Sequence, residues 1–222
     1  MKRRESGHTD SIQNRKGCVS MSALLLENSK TKENLMRAFA GESQARNRYT
    51  FAAGLAKRKG LEVIQGAFLF TADQEKAHAK VFYDLLTPMS GENILVDGRY
   101  PLDLYSDMAQ HLRAAEHNEN QEHDVDYAEF SKIAKEEGFA EISHIFAMIA
   151  GVEKTHAQRF GTLAQLLEEE KLFVSQVETG WMCLNCGQIV HSTMAPALCP
   201  ICKHGQGFFV RLEMAPYTKI QH

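Results

Sequence analysis

Apolar residues recur every three or four positions through most of this chain, the period of an amphipathic helix. Over residues 31–59, Leu35, Phe39, Ala45 and Tyr49 fall on one stripe, with Glu42 lying among them. Gly60 ends that pattern, as a glycine just past a helix C-terminus does. A second helix is predicted over 61–87 from Val63, Ile64, Ala67, Phe68, Phe70 and Leu85, and Pro88 stops it. Residues 88–105 hold Pro88, Ser90, Gly91, Asp97, Gly98 and Pro101 and read as a long connection. A third helix is predicted over 106–137 and ended by Gly138. A fourth runs over 140–169, with Ile142, Ile145, Phe146, Ile149, Phe160, Leu163 and Leu167 on its buried stripe. After Lys171 the period shortens. Leu172-Phe173-Val174 and Gln176-Val177 read as extended, and Phe208-Phe209-Val210 closes a short segment opened by Gly180-Trp181.

The two halves of the helical part repeat. A shift of 78 residues brings Tyr49 onto Tyr127, Gly60 onto Gly138, Phe68 onto Phe146 and Ala72 onto Ala150. The same shift brings Glu75, Lys76, His78 and Phe82 onto Glu153, Lys154, His156 and Phe160. Each half therefore carries one Glu-x-x-His on a helix, where a spacing of three puts carboxylate and imidazole on one face. A single such motif on a charged helix is usually only a solvated face. A repeat that carries it in register points to two helical hairpins facing each other, with metal between them. Two Glu-x-x-His helices plus one inward Glu from each of two others form the ligand set of a di-iron carboxylate four-helix bundle.

Glu42 supplies one such inward Glu. On its apolar stripe an unpartnered carboxylate is costly to bury. The third helix offers Glu116, Glu119, Glu122, Asp124, Asp126 and Glu129. Glu42 precedes Tyr49 by seven and Glu119 precedes Tyr127 by eight, so Glu119 is taken as the counterpart, with Glu122 an extra carboxylate one turn on. Glu116 stays open as a replacement for either. His111, His117, His123 and His144 lie outside the repeat register and are read as surface or packing residues. The metal set is then Glu42 and Glu119 as terminal ligands, Glu75 and Glu153 as bridges, and His78 and His156. Carboxylates are hard donors that neutralise two irons, and imidazole suits the ferrous state without adding charge. Tyr49 and Tyr127 are candidates for hydrogen bonds to those ligands.

Composition narrows the alternatives. The 222 residues are 44% hydrophobic and 24% charged with a net charge of −3, which gives no global electrostatic case for nucleic acid or an anionic membrane. No apolar run approaches the roughly 18 residues of a membrane span, and no apolar segment follows the basic Met1-Lys2-Arg3-Arg4, so a cytoplasmic chain is expected. Residues 1–21 are polar and aperiodic and are expected to be disordered, with Met21 a candidate true start; the extension is drawn over 1–27. The bundle domain is drawn over 28–171 and the small domain over 172–222.

Four of the five cysteines form Cys183-x-x-Cys186 and Cys199-x-x-Cys202; Cys18 stands alone. Paired knuckles of this kind read as a metal site, not as disulfides. The segment is short for a core of its own, so metal is expected to hold it together. Spacing alone favours structural zinc on four sulfurs. The neighbouring redox-type bundle reverses that preference towards one iron.

With these parts in place the chain resembles the rubrerythrin family over roughly residues 28–215. The resemblance rests on Ala40-Gly41-Glu42-Ser43-Gln44-Ala45-Arg46-Asn47-Arg48-Tyr49, both Glu-x-x-His pairs, Glu119-x-x-Glu122 before Tyr127, and the four cysteines. It implies a mainly α protein, a ferritin-like di-iron four-helix bundle joined to a small C-terminal rubredoxin-like β domain with one iron on Cys183, Cys186, Cys199 and Cys202. The implied activity is reduction of hydrogen peroxide to water in oxidative-stress defence. Electrons would come ultimately from NAD(P)H through a partner reductase, or from a rubredoxin- or ferredoxin-type donor. The resemblance also implies a homodimer paired head to tail, and an iron that moves between His78 and Glu122 with oxidation state. This chain departs from the family at its head and at Lys203, where such knuckles often carry Gly or Ala. A ferritin-type ferroxidase and a zinc-ribbon interaction module are the other readings; the four-cysteine module and Glu122 argue against the first, and colour separates the second, since ferric iron on four thiolates is red and zinc there is colourless.

Overall fold

The computed structural model describes residues 25–216. Residues 1–24, most of the segment expected to be disordered and including Cys18, lie outside the described residues. Residues 25–27 are helical and Leu26 is buried in the core, so ordered chain begins ahead of the expected boundary at 28.

Helices α1 (Lys30–Arg58) and α2 (Glu62–Leu85) form one antiparallel hairpin. Helix α3 (Met108–Gln121), a π-helical turn (Glu122–Asp126), α4 (Tyr127–Glu136) and α5 (Ala140–Glu168) form the other. The two hairpin turns are the same structure twice. Gly60 (φ 66°) and Gly138 (φ 86°) take the left-handed conformation that ends each first helix. Leu61 N–H then reaches Ala56 C=O at 3.0 Å, and Phe139 N–H reaches Ala134 C=O at 2.8 Å. The hairpins are tied end to end by Glu137. Its carboxylate accepts from the Lys30 amide (2.9 Å), the Thr31 amide (2.8 Å) and the Thr31 hydroxyl (2.6 Å) at the N-terminus of α1. Ser29 caps the same end by accepting from the Lys32 amide.

The third helix differs from the expectation of one regular helix over 106–137. Its middle is the π turn, which holds one residue more than α-helical winding would. That extra residue is why Glu119 lies eight before Tyr127 while Glu42 lies seven before Tyr49: the repeat shift is 77 before the turn and 78 after it.

Aromatic clusters fill the bundle on both sides of its middle. Tyr49, Phe68 and Phe160 pack with ring centroids 4.9–5.8 Å apart, and their repeat mates Tyr127, Phe146 and Phe82 pack at 5.2–5.9 Å. The connection between hairpins is pinned by Arg37 to Asp97 (2.7 Å) and by Arg48 to Asp103 (2.5 Å), which also accepts from Asn118 (3.1 Å).

The C-terminal part is a three-stranded antiparallel sheet of β1 (Val174–Cys183), β2 (Ile189–Met194) and β3 (Phe209–Arg211), ordered β2-β1-β3. Trp181 and Phe209 form its small core, and the Trp181 indole donates to Ser192 C=O at 3.0 Å. The sheet packs on one end of the bundle, where Leu172 and Val210 join Val63 and Leu163 in one apolar cluster. Gly207 lies so close to the α1–α2 turn that a Cβ there would stand 2.0 Å from Gly60 O.

Candidate metal centres

The carboxylate layer sits between the aromatic clusters, at mid-bundle. Helix α1 brings Glu42, α2 brings Glu75 and His78, α3 brings Glu119, and α5 brings Glu153 and His156. Five of these six are buried, and His78 keeps 12% side-chain exposure. They form two overlapping groups, Glu42-Glu75-His78-Glu153 and Glu75-Glu119-Glu153-His156, each with its donor atoms within 4.8 Å of one another. Glu75 and Glu153 belong to both. The Nδ1 of His78 lies 3.2 Å from Glu75 Oε2 and 3.0 Å from Glu153 Oε1. The Nδ1 of His156 lies 3.0 Å from Glu75 Oε1 and 2.7 Å from Glu153 Oε2. Each shared carboxylate thus presents one oxygen to either side, the geometry of a bridge.

Eight atoms of this layer are buried without a hydrogen-bond partner among the described residues: both oxygens of Glu75 and of Glu153, one each of Glu42 and Glu119, and both Nδ1 atoms. A buried polar atom left unsatisfied costs about 1–3 kcal/mol, so a fold that converges eight of them on two points fits two cations there. Electrostatics agree. Burial pushes the Glu42 carboxyl up to about 8 and raises Glu119. Burial opposes charge on the imidazoles, yet the surrounding carboxylates outweigh it, raising His78 and lifting His156 to about 11. Without metal, protons must occupy the layer; cations would displace them.

Two phenols brace it reciprocally. Tyr49 O–H donates to Glu119, and Tyr127 O–H donates to Glu42. Burial, then the neighbouring carboxylates, hold both hydroxyls well above their usual range, so they stay donors.

Glu122 stands outside both groups. At the start of the π turn it lines a cavity of about 270 Å³ together with Gly41, Gln44, Tyr100, Asn118 and Tyr127. Burial raises its carboxyl well above the usual range, and repulsion from Glu42, Glu119, Glu153 and Glu75 adds to this. Glu116 turns away: it accepts from Arg113 (2.8 Å) and packs against Gly161. Asp126 is part of the cavity wall. Sequence reasoning missed Gln74, whose Oε1 lies 3.1 Å from His156 Nε2 and 3.1 Å from Arg159 Nη1. Its signal was a break in the repeat, since Gln74 faces Val152 under the 78-residue shift.

In the small domain the four sulfurs converge. Cys183 and Cys202 lie 3.7 Å apart and Cys186 and Cys199 3.6 Å. A tetrahedron with metal–sulfur bonds of about 2.3 Å has edges of about 3.75 Å. The knuckles match in backbone as well. Cys183 N–H donates to Gln188 C=O and Cys199 N–H to His204 C=O, each at 2.8 Å, and the left-handed residue is Gly187 (φ 77°) in one and Lys203 (φ 62°) in the other. The His204 amide is the main cause that lowers Cys202 to about 5. At Cys186 the Gln188 amide lowers the thiol, but burial and the other thiols outweigh it and push it up to about 12. Among the described residues no helix is long and apolar enough to cross a membrane.

A four-helix bundle with a paired carboxylate–imidazole layer, carrying a four-thiolate β module, defines a two-centre metalloprotein of the ferritin-like class. The sequence pattern described as Rubrerythrin matches residues 33–164, and that described as Rubrerythrin, rubredoxin-like domain matches residues 181–210. A rubrerythrin of Porphyromonas gingivalis is 44% identical over 184 residues, covering 83% of this chain and 90% of that one. A rubrerythrin of Nitratidesulfovibrio vulgaris is 40% identical over 184 residues, covering 83% and 95%. A solved structure of nigerythrin in a mixed-valence state covers 95% of this chain and all of its own, at 25% identity and a TM-score of 0.56. The chain belongs to the rubrerythrin family. Its cofactors are accordingly a di-iron centre and one iron on four cysteine thiolates, and it is an iron-dependent oxidoreductase.

Proposed function

We propose that this protein reduces hydrogen peroxide to water in defence against oxidative stress. Glu42, Glu75, His78, Glu119, Glu153 and His156 hold the di-iron centre, Glu122 is a seventh donor, and the four cysteines hold the second iron. When bound, the metals supply the two electrons that, with two protons, convert one peroxide into two waters. The residues do the rest. Glu75 and Glu153 fix the spacing of the two positions through their paired oxygens. Tyr127 and Tyr49 keep Glu42 and Glu119 aimed inward. Glu122 and His78 would be alternative donors to one metal, imidazole suiting ferrous iron and carboxylate the harder ferric ion. The cavity that reaches Glu122 and Tyr127 admits an oxidant as small as peroxide.

The four-thiolate module lies by the α1–α2 turn, against Gly60. Glu75 is thirteen residues along α2 from Glu62, about 20 Å at 1.5 Å per residue. That separation within one chain supports a head-to-tail homodimer, in which one subunit's cysteine module serves its partner's bundle. Electrons reach the module from an NAD(P)H-dependent reductase or a rubredoxin- or ferredoxin-type donor, in the cytoplasm.

The observation that carries the peroxidase reading is Glu122 itself: a carboxylate in excess of the six-residue set, lining the cavity beside Tyr127, the phenol that donates to Glu42. Ferroxidase storage needs neither it nor an electron-transfer module. Glu122→Ala tests the reading. The variant should keep both irons in the bundle, because the six-residue set survives, and lose peroxide turnover more than tenfold, a barrier increase above about 1.4 kcal/mol. Wild-type turnover at full iron occupancy would remove Glu122 from the reaction.

A further inference from the structure

The two imidazoles are related by the repeat but are not held alike. His156 Nε2 lies 3.1 Å from Gln74 Oε1, and Arg159 Nη1 donates to that same oxygen at 3.1 Å and to Thr71 Oγ1 at 2.7 Å. A guanidinium only donates, so the Gln74 atom between them is the oxygen, and His156 Nε2 must carry a hydrogen. With Nε2 so engaged, Nδ1 is the nitrogen left to give up its proton to a metal, and it faces Glu75, Glu119 and Glu153. Arg159 is kept in place by its stack on the Phe70 ring, 5.0 Å from the centroid.

None of this exists on the other side. The repeat carries Thr71 to Ile149, Gln74 to Val152 and, in reverse, Arg159 to Val81. All three polar members of the relay are replaced by aliphatic side chains that neither donate nor accept. No side chain among the described residues hydrogen-bonds His78 Nε2, and the His78 side chain is 12% exposed where that of His156 is fully buried. Turning His156 would strip the part-buried Gln74 oxygen of one donor and bury an unpaired N–H. Turning His78 breaks no hydrogen bond at Nε2, so only its layer-facing Nδ1 contacts hold it.

We infer that Gln74, backed by Arg159 and Thr71, is a positioning residue that locks His156 in orientation, with Nε2 protonated and Nδ1 toward the metal, and so makes the two metal positions unequal, leaving His78 as the imidazole that can release its metal. The inference rests on the assignment of both histidines as metal ligands, and the experiment separates the two. The full chain is labelled with ¹⁵N-histidine, stripped of metal from the bundle and titrated with Zn²⁺ alone, which is diamagnetic and supports no turnover. Shifts of both imidazole Nδ1 resonances report ligation; their absence would overturn the ligand assignment and with it the inference. Solvent exchange of the Nε2 protons then reports the relay. In the wild type one proton, His156's, should exchange at least tenfold more slowly than the other. Gln74→Val should bring it up to the fast rate at unchanged zinc content, and Gln74→Glu, which still accepts, should keep it slow. If Gln74→Val does not fold, Arg159→Leu, which frees the Gln74 amide, should speed the same exchange at least threefold. Equal exchange of both protons in the wild type, or a slow proton untouched by Gln74→Val or Arg159→Leu, would overturn the inference while leaving the ligand assignment standing.

Discussion

Glu42→Gln separates what the layer costs the fold from what it gives the site. In the metal-free bundle, burial holds the Glu42 carboxyl at about 8 against the ordinary 4.5. The folded carboxyl therefore binds its proton more tightly than the unfolded one. The contribution is complete below about 4.5 and is lost as pH rises through about 8, so stability falls across that window. Each pH unit is worth 1.36 kcal/mol, which makes the burden about 3 kcal/mol at pH 7 and about 5 kcal/mol above pH 8. Glutamine is isosteric, stays neutral and still offers Tyr127 an acceptor. Metal-free Glu42→Gln should then exceed metal-free wild type in stability by about 3 kcal/mol at pH 7, with the gap closing towards pH 4 and widening to pH 8. Urea denaturation at pH 4.5, 7 and 8.5, followed by far-ultraviolet dichroism, measures it. The iron-loaded comparison should go the other way, because the variant lacks one anionic ligand. A variant no more stable than the wild type at pH 8, or a gap that does not change with pH, would refute the argument that unpaired buried charge is what metal relieves.

Other consequences are simpler to read. Cys199→Ser should abolish the red colour of ferric iron on thiolates and all turnover with an external donor, yet leave one peroxide turnover in pre-reduced protein; loss of both would contradict separate roles. Mixed Cys199→Ser and Glu75→Ala chains should regain turnover in confirmed heterodimers if the module serves its partner's bundle, and inactive heterodimers would count against that pairing. Glu137→Ala removes three hydrogen bonds from the α1 N-terminus and should lower stability by about 1 kcal/mol, seen as a shifted denaturation midpoint. Lys203 occupies the left-handed position that Gly187 fills in the other knuckle, so Lys203→Gly should stabilise the iron-loaded small domain by about 1 kcal/mol; an unchanged midpoint would mean that its Nζ contact to Pro200 C=O (3.0 Å) offsets the strain.

The repeat makes the bundle legible from the sequence alone. Glu75 and His78 against Glu153 and His156, each on a helix face among Phe and Ala, specify four helices and a shared polar layer, because both the period and the register are long-range properties of the sequence. The cysteine knuckles were legible for the same reason. What escaped was local winding and individual contacts. A π turn is one residue in a helix otherwise regular in pattern, and its only trace was the eight-for-seven spacing of Glu119 and Tyr127. Glu122, one turn beyond Glu119 by α-helical spacing, begins the π turn, lines the cavity and lies outside both donor groups. Gln74 and Arg159 are polar residues at helix spacing, indistinguishable by period from a solvated face; only their failure to repeat marks them. Leu26 lay in a segment too short for any period to show.

On this reading one chain holds two iron centres that deliver electrons to peroxide. Protein reduced anaerobically and titrated with hydrogen peroxide, while the thiolate iron is followed by its visible colour and the product is assayed, tests it most directly. Both centres should be oxidised, with one peroxide consumed per two electrons, water as the product, and a rate above that with dioxygen. Oxidation by dioxygen but not by peroxide, or bleached thiolate iron that never recolours as peroxide is consumed, would contradict it.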